Sequence, residues 1–271
     1  MKKSLPLYIS ISLILLGACS GYEKVVKSTD VTLKYNEAKR YYEKGDYYKA
    51  QVLYDQIAPV MRGTDKADTV YFFQAMSYFK QSDYILAGHY FESFSRVYGA
   101  STFLEEADFM AAYCYYKNSP RPELDQTNTQ QSLLAFQKYL MRHKSSDRRE
   151  EALGYITEMR DKLVEKSFIS ARLYYDLEDY KASLVALNNS LSEYPESKYR
   201  ERIMFMVLKS SYKYAERSVF IKKKERYQAA LDEFYSFKAE YPESKLMREA
   251  NRYYSAMARY LGDDIMQDDI N

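Results

Sequence analysis

In this 271-residue chain, a small residue followed four positions later by an aromatic or large apolar one recurs five times. The pairs are Ala50/Tyr54, Ala87/Phe91, Ser132/Phe136, Ser183/Leu187 and Ala230/Phe234, at intervals of 37, 45, 51 and 47 residues. Twelve residues before the first two pairs stand Ala38 and Ala75, with Tyr41 and Tyr78 three further on; Ala171 and Tyr174 hold the same offsets from Ser183. A small residue in each of two helices lets their axes approach, and an aromatic one turn on fills the groove between them. A unit of this length cannot bury its apolar face alone, so successive units must stack.

Local punctuation agrees with helix pairs. Gly45-Asp46 separates a helix over 34–44 from one over 47–60, and Ser82-Asp83 separates 69–81 from 84–98. Thr102 with Glu105, and Asp147 with Glu150, predict capping boxes. Tyr194-Pro195-Glu196-Ser197 and Tyr241-Pro242-Glu243-Ser244 close two units, Pro ending one helix and Ser capping the next. The stretch from Asn118 to Thr129 is polar and contains Pro120 and Pro122, so it reads as a surface loop inside the third unit.

The pattern resembles the tetratricopeptide repeat, stretched beyond that family's usual length. It departs from it in lacking Trp and in lacking the terminal Pro in the first three units. The expected fold is all-α, a right-handed superhelix of five helix pairs at about 31–64, 67–100, 102–145, 167–197 and 200–244. A closing helix to 262 and an acidic tail over 263–271 complete it.

The N-terminus reads as an address. Lys2 and Lys3 precede an apolar run from Leu5 to Leu16, too short for a membrane span, and Leu16-Gly17-Ala18 leads into Cys19. These residues resemble a bacterial lipoprotein signal peptide (1–18) with its lipobox, which implies lipidation of Cys19 and stable membrane attachment through several acyl chains. Residues 19–30 then read as a lipidated start and a polar tether without apolar periodicity. By analogy with lipoprotein sorting, Ser20 permits transit to an outer membrane.

Removing Lys2 and Lys3 leaves 38 basic against 38 acidic residues, without the basic excess of a nucleic-acid binder. His89 and His143 are the only histidines and lack partners at metal-ligand spacing. No phosphate-binding glycine loop or nucleophile elbow occurs. Glu105-Glu106 and Glu150-Glu151 fall in expected first turns, where they suit the helix dipole rather than acid–base chemistry. Cys114 reads as a buried structural thiol. No catalytic residue, metal, cofactor or small-molecule substrate is expected. The 31 tyrosines include adjacent pairs such as Tyr41-Tyr42 and Tyr47-Tyr48, whose second members are free to line a groove or to pack between repeats. The run Lys222-Lys223-Lys224-Glu225-Arg226 falls between the helices of the fifth unit and reads as a solvated face, or else as a contact for a partner or anionic lipid.

Lipobox, tether, five stretched repeats and acidic tail together resemble the BamD family, lipoprotein subunits of the β-barrel assembly machinery. The most specific segments are Tyr116 to Gln126 with Ser132 to Leu140, Tyr194 to Ser197, and Ser218 to Phe234. The resemblance implies a scaffold on the periplasmic face of a bacterial outer membrane. It would bind a BamA-like barrel subunit through residues 167–262 and unfolded outer-membrane proteins through the groove of 31–145. Tyr42, Tyr48 and Tyr78 are the candidates on the substrate side, and Lys222, Lys223, Lys224 and Arg226 on the partner side. A tetratricopeptide lipoprotein serving another envelope or cell-wall complex would share these features. A SusD-type glycan-capturing lipoprotein fits less well, being longer and favouring Trp.

Overall fold

The structure is a computed structural model that describes residues 21–268, with side chains described to residue 262. Leu16, Gly17, Ala18 and Cys19, with the whole 1–18 leader, lie outside the described residues. Those described form helices joined by turns, with no strand. They divide into two compact units.

The first unit holds residues 21–120 and 125–159. It contains α1 (21–27), α2 (Val31–Glu43), α3 (Tyr47–Ile57), α4 (Ala67–Lys80), α5 (Tyr84–Val97), α6 (Leu104–Asn118), α7 (Thr127–Arg142) and the start of α8 (Arg149–Asp176). The second holds 121–124 and 160–268: the rest of α8, α9 (Tyr180–Glu193), α10 (Arg200–Glu216), α11 (Phe220–Glu240) and α12 (Met247–Asp268). Thus α8 runs as one 28-residue helix that takes in residues 149–166 of the stretch that lay between the expected repeats. The helix α12 likewise continues into the expected tail.

The recurring small residues are where the helices meet. Ala38, Ala50, Ala75, Ala87, Ser132, Ala171, Ser183 and Ala230 are buried, and so are Tyr54, Phe91, Phe136, Leu187 and Phe234 one turn on. Each such large side chain, fully buried, is worth about 1.5–3 kcal/mol of apolar transfer. Gly88 on α5 lies at a tight approach, for a Cβ built there would stand 3.2 Å from Cys114 Cβ on α6.

Three turns between paired helices are built alike. Gly45, Ser82 and Glu178 adopt left-handed φ of 80°, 63° and 59°. The next residue, Asp46, Asp83 or Asp179, donates its N–H to the carbonyl of Tyr41, Tyr78 or Tyr174, satisfying a helix-terminal acceptor. The same aspartate's carboxylate accepts from the backbone N–H three residues on, at Lys49, Leu86 or Ala182, capping the second helix.

Junctions between successive pairs use a second device. Ser101, Ser146, Ser197 and Ser244 accept, through Oγ, the N–H two residues on. Ser101 Oγ also donates to Asp68 and Ser244 Oγ to Glu201, in the first turns of α4 and α10. The capping boxes expected at Thr102 and Asp147 are therefore replaced by serines one residue earlier, and α6 starts without a side-chain cap.

The tether also differs from expectation. Residues 21–27 are helical, and Tyr22, Val25 and Val26 pack against the cluster around Ala38, Ala50 and Leu53. Tyr22 meets Tyr41 edge-on at 5.4 Å. The spacing of positions 22, 25 and 26 is a single turn of apolar face, too short to register as periodicity.

Candidate docking surfaces

The tyrosines expected to line a groove are mostly consumed by packing. Tyr42 lies edge-on to Phe73 at 5.0 Å and to Tyr47 at 5.3 Å, and burial pushes its hydroxyl up to about 12. Tyr78 stacks on Tyr90 at 5.1 Å and donates to Asp55 Oδ2 at 2.8 Å, joining Gln51 and the buried Gln74 around that carboxylate. Burial first, and then the Asp55 charge, holds the Tyr78 hydroxyl well above its ordinary value. Tyr48 alone of the three is exposed, at 63%. The structure does not bring the three together.

The same fate meets other second members of the tyrosine pairs. Tyr116 stacks on Tyr113 and donates to Glu158, while Tyr254 stacks on Phe234. A hydroxyl at the ring tip reaches a carboxylate on a neighbouring helix, so the aromatic body and the polar end are both used.

A depression of about 730 Å³ in the first unit is lined by Glu92, Arg96, Asp108, Lys138, Met141 and Arg142 among others. Several of its charges are already engaged. Asp108 accepts from His143 Nε2 at 2.8 Å and Arg142 Nη1 at 2.9 Å. Burial opposes ionisation of Asp108, yet the bonds from His143, Ser95 and Arg142 together hold its carboxyl below the usual range.

A second depression, of about 500 Å³, lies in the second unit between α8 and α10. Phe168 and Tyr199 stack nearly parallel at 4.3 Å beside it, and the Arg202 guanidinium stands 5.5 Å from the Phe168 ring. Arg172 pairs with Asp176 at 2.9 Å, and Tyr175 faces Lys209 Nζ at 5.8 Å. Aromatic faces interleaved with guanidinium and ammonium groups suit an extended or acidic polypeptide segment. Among the described residues no three His, Cys, Asp or Glu side chains are grouped to hold a metal. Glu105, Glu106 and Glu151 are tied to Tyr139 and Arg148 instead.

The basic residues sit elsewhere. Lys222, Lys223, Lys224 and Arg226 are on the first two turns of α11, not in a bridge between helices. Lys222 pairs with Glu225 at 3.2 Å, and the Arg226 guanidinium lies 3.9 Å over Tyr214 and donates to Ser218.

An all-α array of stacked helix pairs with such surfaces presents side chains of the kind that dock other polypeptides. A family profile described as YfiO, outer membrane lipoprotein, matches residues 28–176, more than half of the chain, and the chain belongs to that family. A search of curated proteins found no match. Among solved structures, the chain is similar to the TPR2AB domain of yeast Sti1 in its pHSP90 complex, at 14% identity and TM-score 0.38, covering 84% of this chain and 98% of that one. It is also similar to kinesin light chain nearly identical TPR-like repeats of Podosopora anserina, at 12% identity and TM-score 0.33, covering 78% and 96%. No helix among the described residues is long and apolar enough to cross a membrane.

Proposed function

We propose that this chain is a BamD-like scaffold subunit of the β-barrel assembly machinery, anchored through lipidated Cys19 on the periplasmic face of the outer membrane. It binds a BamA-like subunit and assists insertion of outer-membrane β-barrel proteins. The observation that carries this reading is the match of residues 28–176 to the outer membrane lipoprotein family. The resemblance of Tyr116 to Gln126 and of Tyr194 to Ser197 to BamD-type repeats narrows it within that family.

The partner-binding half is residues 167–262, and its contact surface is the aromatic and basic depression between α8 and α10. Unfolded substrates meet the 31–145 half, where Tyr48 is the exposed aromatic of the three expected. Capture of extended chains needs a long surface of apolar and hydrogen-bonding groups, and no catalytic apparatus.

A mild-detergent pull-down of the tagged full-length chain from its own membranes tests the reading. A near-stoichiometric barrel protein with periplasmic repeat domains is the expected companion. Cell-wall enzymes, or no barrel protein, would move the chain to the other reading, a tetratricopeptide lipoprotein serving a different envelope complex.

A further inference from the structure

The second helix of the fifth pair starts well before the point where those of the first, second and fourth pairs begin. Tyr47, Tyr84, Tyr180 and Tyr227 stand three residues before Ala50, Ala87, Ser183 and Ala230. In α3, α5 and α9 that tyrosine is the first helical residue, directly after a capping aspartate. In α11 the helix begins at Phe220, so residues 220–226 form an added spur before the equivalent position. At roughly 1.5 Å per residue the spur extends the helix by about 10 Å.

Its tip is apolar and open to solvent. Val219 occupies the cap position with no side-chain bond to offer, and Val219, Phe220 and Ile221 are 68%, 78% and 84% exposed. The Arg217 guanidinium reaches Glu178 at 2.5 Å and lies over the Tyr180 ring, placing the exposed Leu177 on the same edge of the unit. Directly behind the tip come Lys222, Lys223, Lys224 and Arg226, with Glu225 the only carboxylate between 219 and 226, a net charge of +3 (four bases less one acid).

We propose that this spur is a second membrane contact: Phe220 and Ile221 enter the interface of an anionic phospholipid surface, and Lys222 to Lys224 meet its headgroups. The inference goes beyond the scaffold function but uses the family's residence at a membrane. Three considerations select lipid over a protein partner. Among the described residues of the unit, the tip holds the most exposed large apolar side chains, and they stand at a helix end and line neither of the two depressions. Apolar side chains at a helix end with lysines one turn behind allow insertion and snorkelling together. The local excess of positive charge complements anionic headgroups.

The test uses the full-length lipidated chain reconstituted into vesicles. Phe220→Cys carries a nitrobenzoxadiazole dye, and Ser236→Cys, exposed further along the same helix, serves as control, with the chain lacking either added cysteine as blank. In phosphatidylglycerol-containing vesicles the dye at 220 should shift to the blue and be quenched by lipids with a nitroxide on the acyl chain; the dye at 236 should not. Lys222→Glu, Lys223→Glu and Lys224→Glu combined should reduce that quenching at least several-fold, with the thermal melt unchanged. Phosphatidylcholine-only vesicles should give the same reduction. An unquenched dye at 220 in anionic vesicles overturns the proposal, as does quenching that ignores lipid charge. A blue shift arising only when solubilised membrane proteins are added would assign the spur to a protein partner instead. A chain that fails to enter vesicles at all would count against lipidation, separately from the spur.

Discussion

The hydroxyl of Tyr78 on α4 donates to Asp55 Oδ2 on α3 at 2.8 Å. Gln74, buried, donates to the other oxygen at 2.6 Å, so one carboxylate organises the seam between the first two helix pairs. Asp55→Ala strands both donors in a part-buried site. It should cost about 2–3 kcal/mol in urea unfolding of the full chain, whereas Gln51→Ala, which lies at the margin of the same cluster, should cost under about 1 kcal/mol.

The left-handed residue of the repeated turn is glycine at 45 but serine at 82, with φ of 63°. A side chain there carries a steric penalty that glycine lacks. Ser82→Gly should therefore raise stability by about 0.5–1 kcal/mol, and Gly45→Ala should lower it by about 1 kcal/mol or more. Glu178→Gly should gain less than Ser82→Gly, because it also removes the partner of Arg217. Thermal melts of the three variants rank the effects.

Burial pushes the Cys114 thiol up to about 12, so the thiolate is scarce at neutral pH. Alkylation of Cys114 in the folded chain should proceed at the rate of local opening and accelerate sharply in denaturant. Gly88→Ala brings a methyl to 3.2 Å from Cys114 Cβ. The helices must separate by a few tenths of an ångström to admit it, and the variant should label faster than the parent. An unchanged labelling rate would mean that the seam tolerates the methyl without opening.

Several carboxylates are held below their ordinary values: Glu105 chiefly by the Ser146 hydroxyl, Glu151 by Arg148, Glu240 by Arg200, and Asp108 through His143, Ser95 and Arg142 against the opposing effect of burial. A depressed folded value stabilises the fold above the unfolded carboxylate range, near pH 4, and that stability drains as pH falls through the folded values. Glu233, raised by burial and by Asp232, acts in the opposite sense but stands alone among these groups. Unfolding free energy should therefore fall between about pH 5 and 3, and the slope should be shallower in Asp108→Asn.

Cys19→Ala should abolish metabolic palmitate labelling while leaving the helical circular dichroism intact. Persistent labelling would sink the lipidation claim.

The helix pairs were legible because a small residue and its large neighbour four positions on are local signals that tertiary packing then uses unchanged, as Ala87 and Phe91 show. The turn at Gly45-Asp46 was legible for the same reason. Its twin at Glu178-Asp179 was hidden by a residue type that rarely accepts a left-handed backbone. Thr102 and Asp147 satisfied a local capping pattern, yet Ser101 and Ser146 won because their hydroxyls serve the incoming helix and reach acids in the first helix of the preceding pair, Asp68 on α4 and Glu105 on α6. The candidate groove was the least legible part. Whether Tyr42 is exposed depends on Phe73, 31 residues further along the chain, and no spacing within one helix announces that partner.

The helices that pack most closely are neighbours in sequence, α2 on α3, α3 on α4, α4 on α5, α5 on α6 and α6 on α7, and likewise α9 through α12. Short loops close such contacts, so little chain entropy is lost before each contact begins to stabilise. Within α2–α7 and within α9–α12, each helix after the first therefore finds a docking partner already made when it emerges, whereas Phe168 and Ala171 of α8 must wait for α9 and α10.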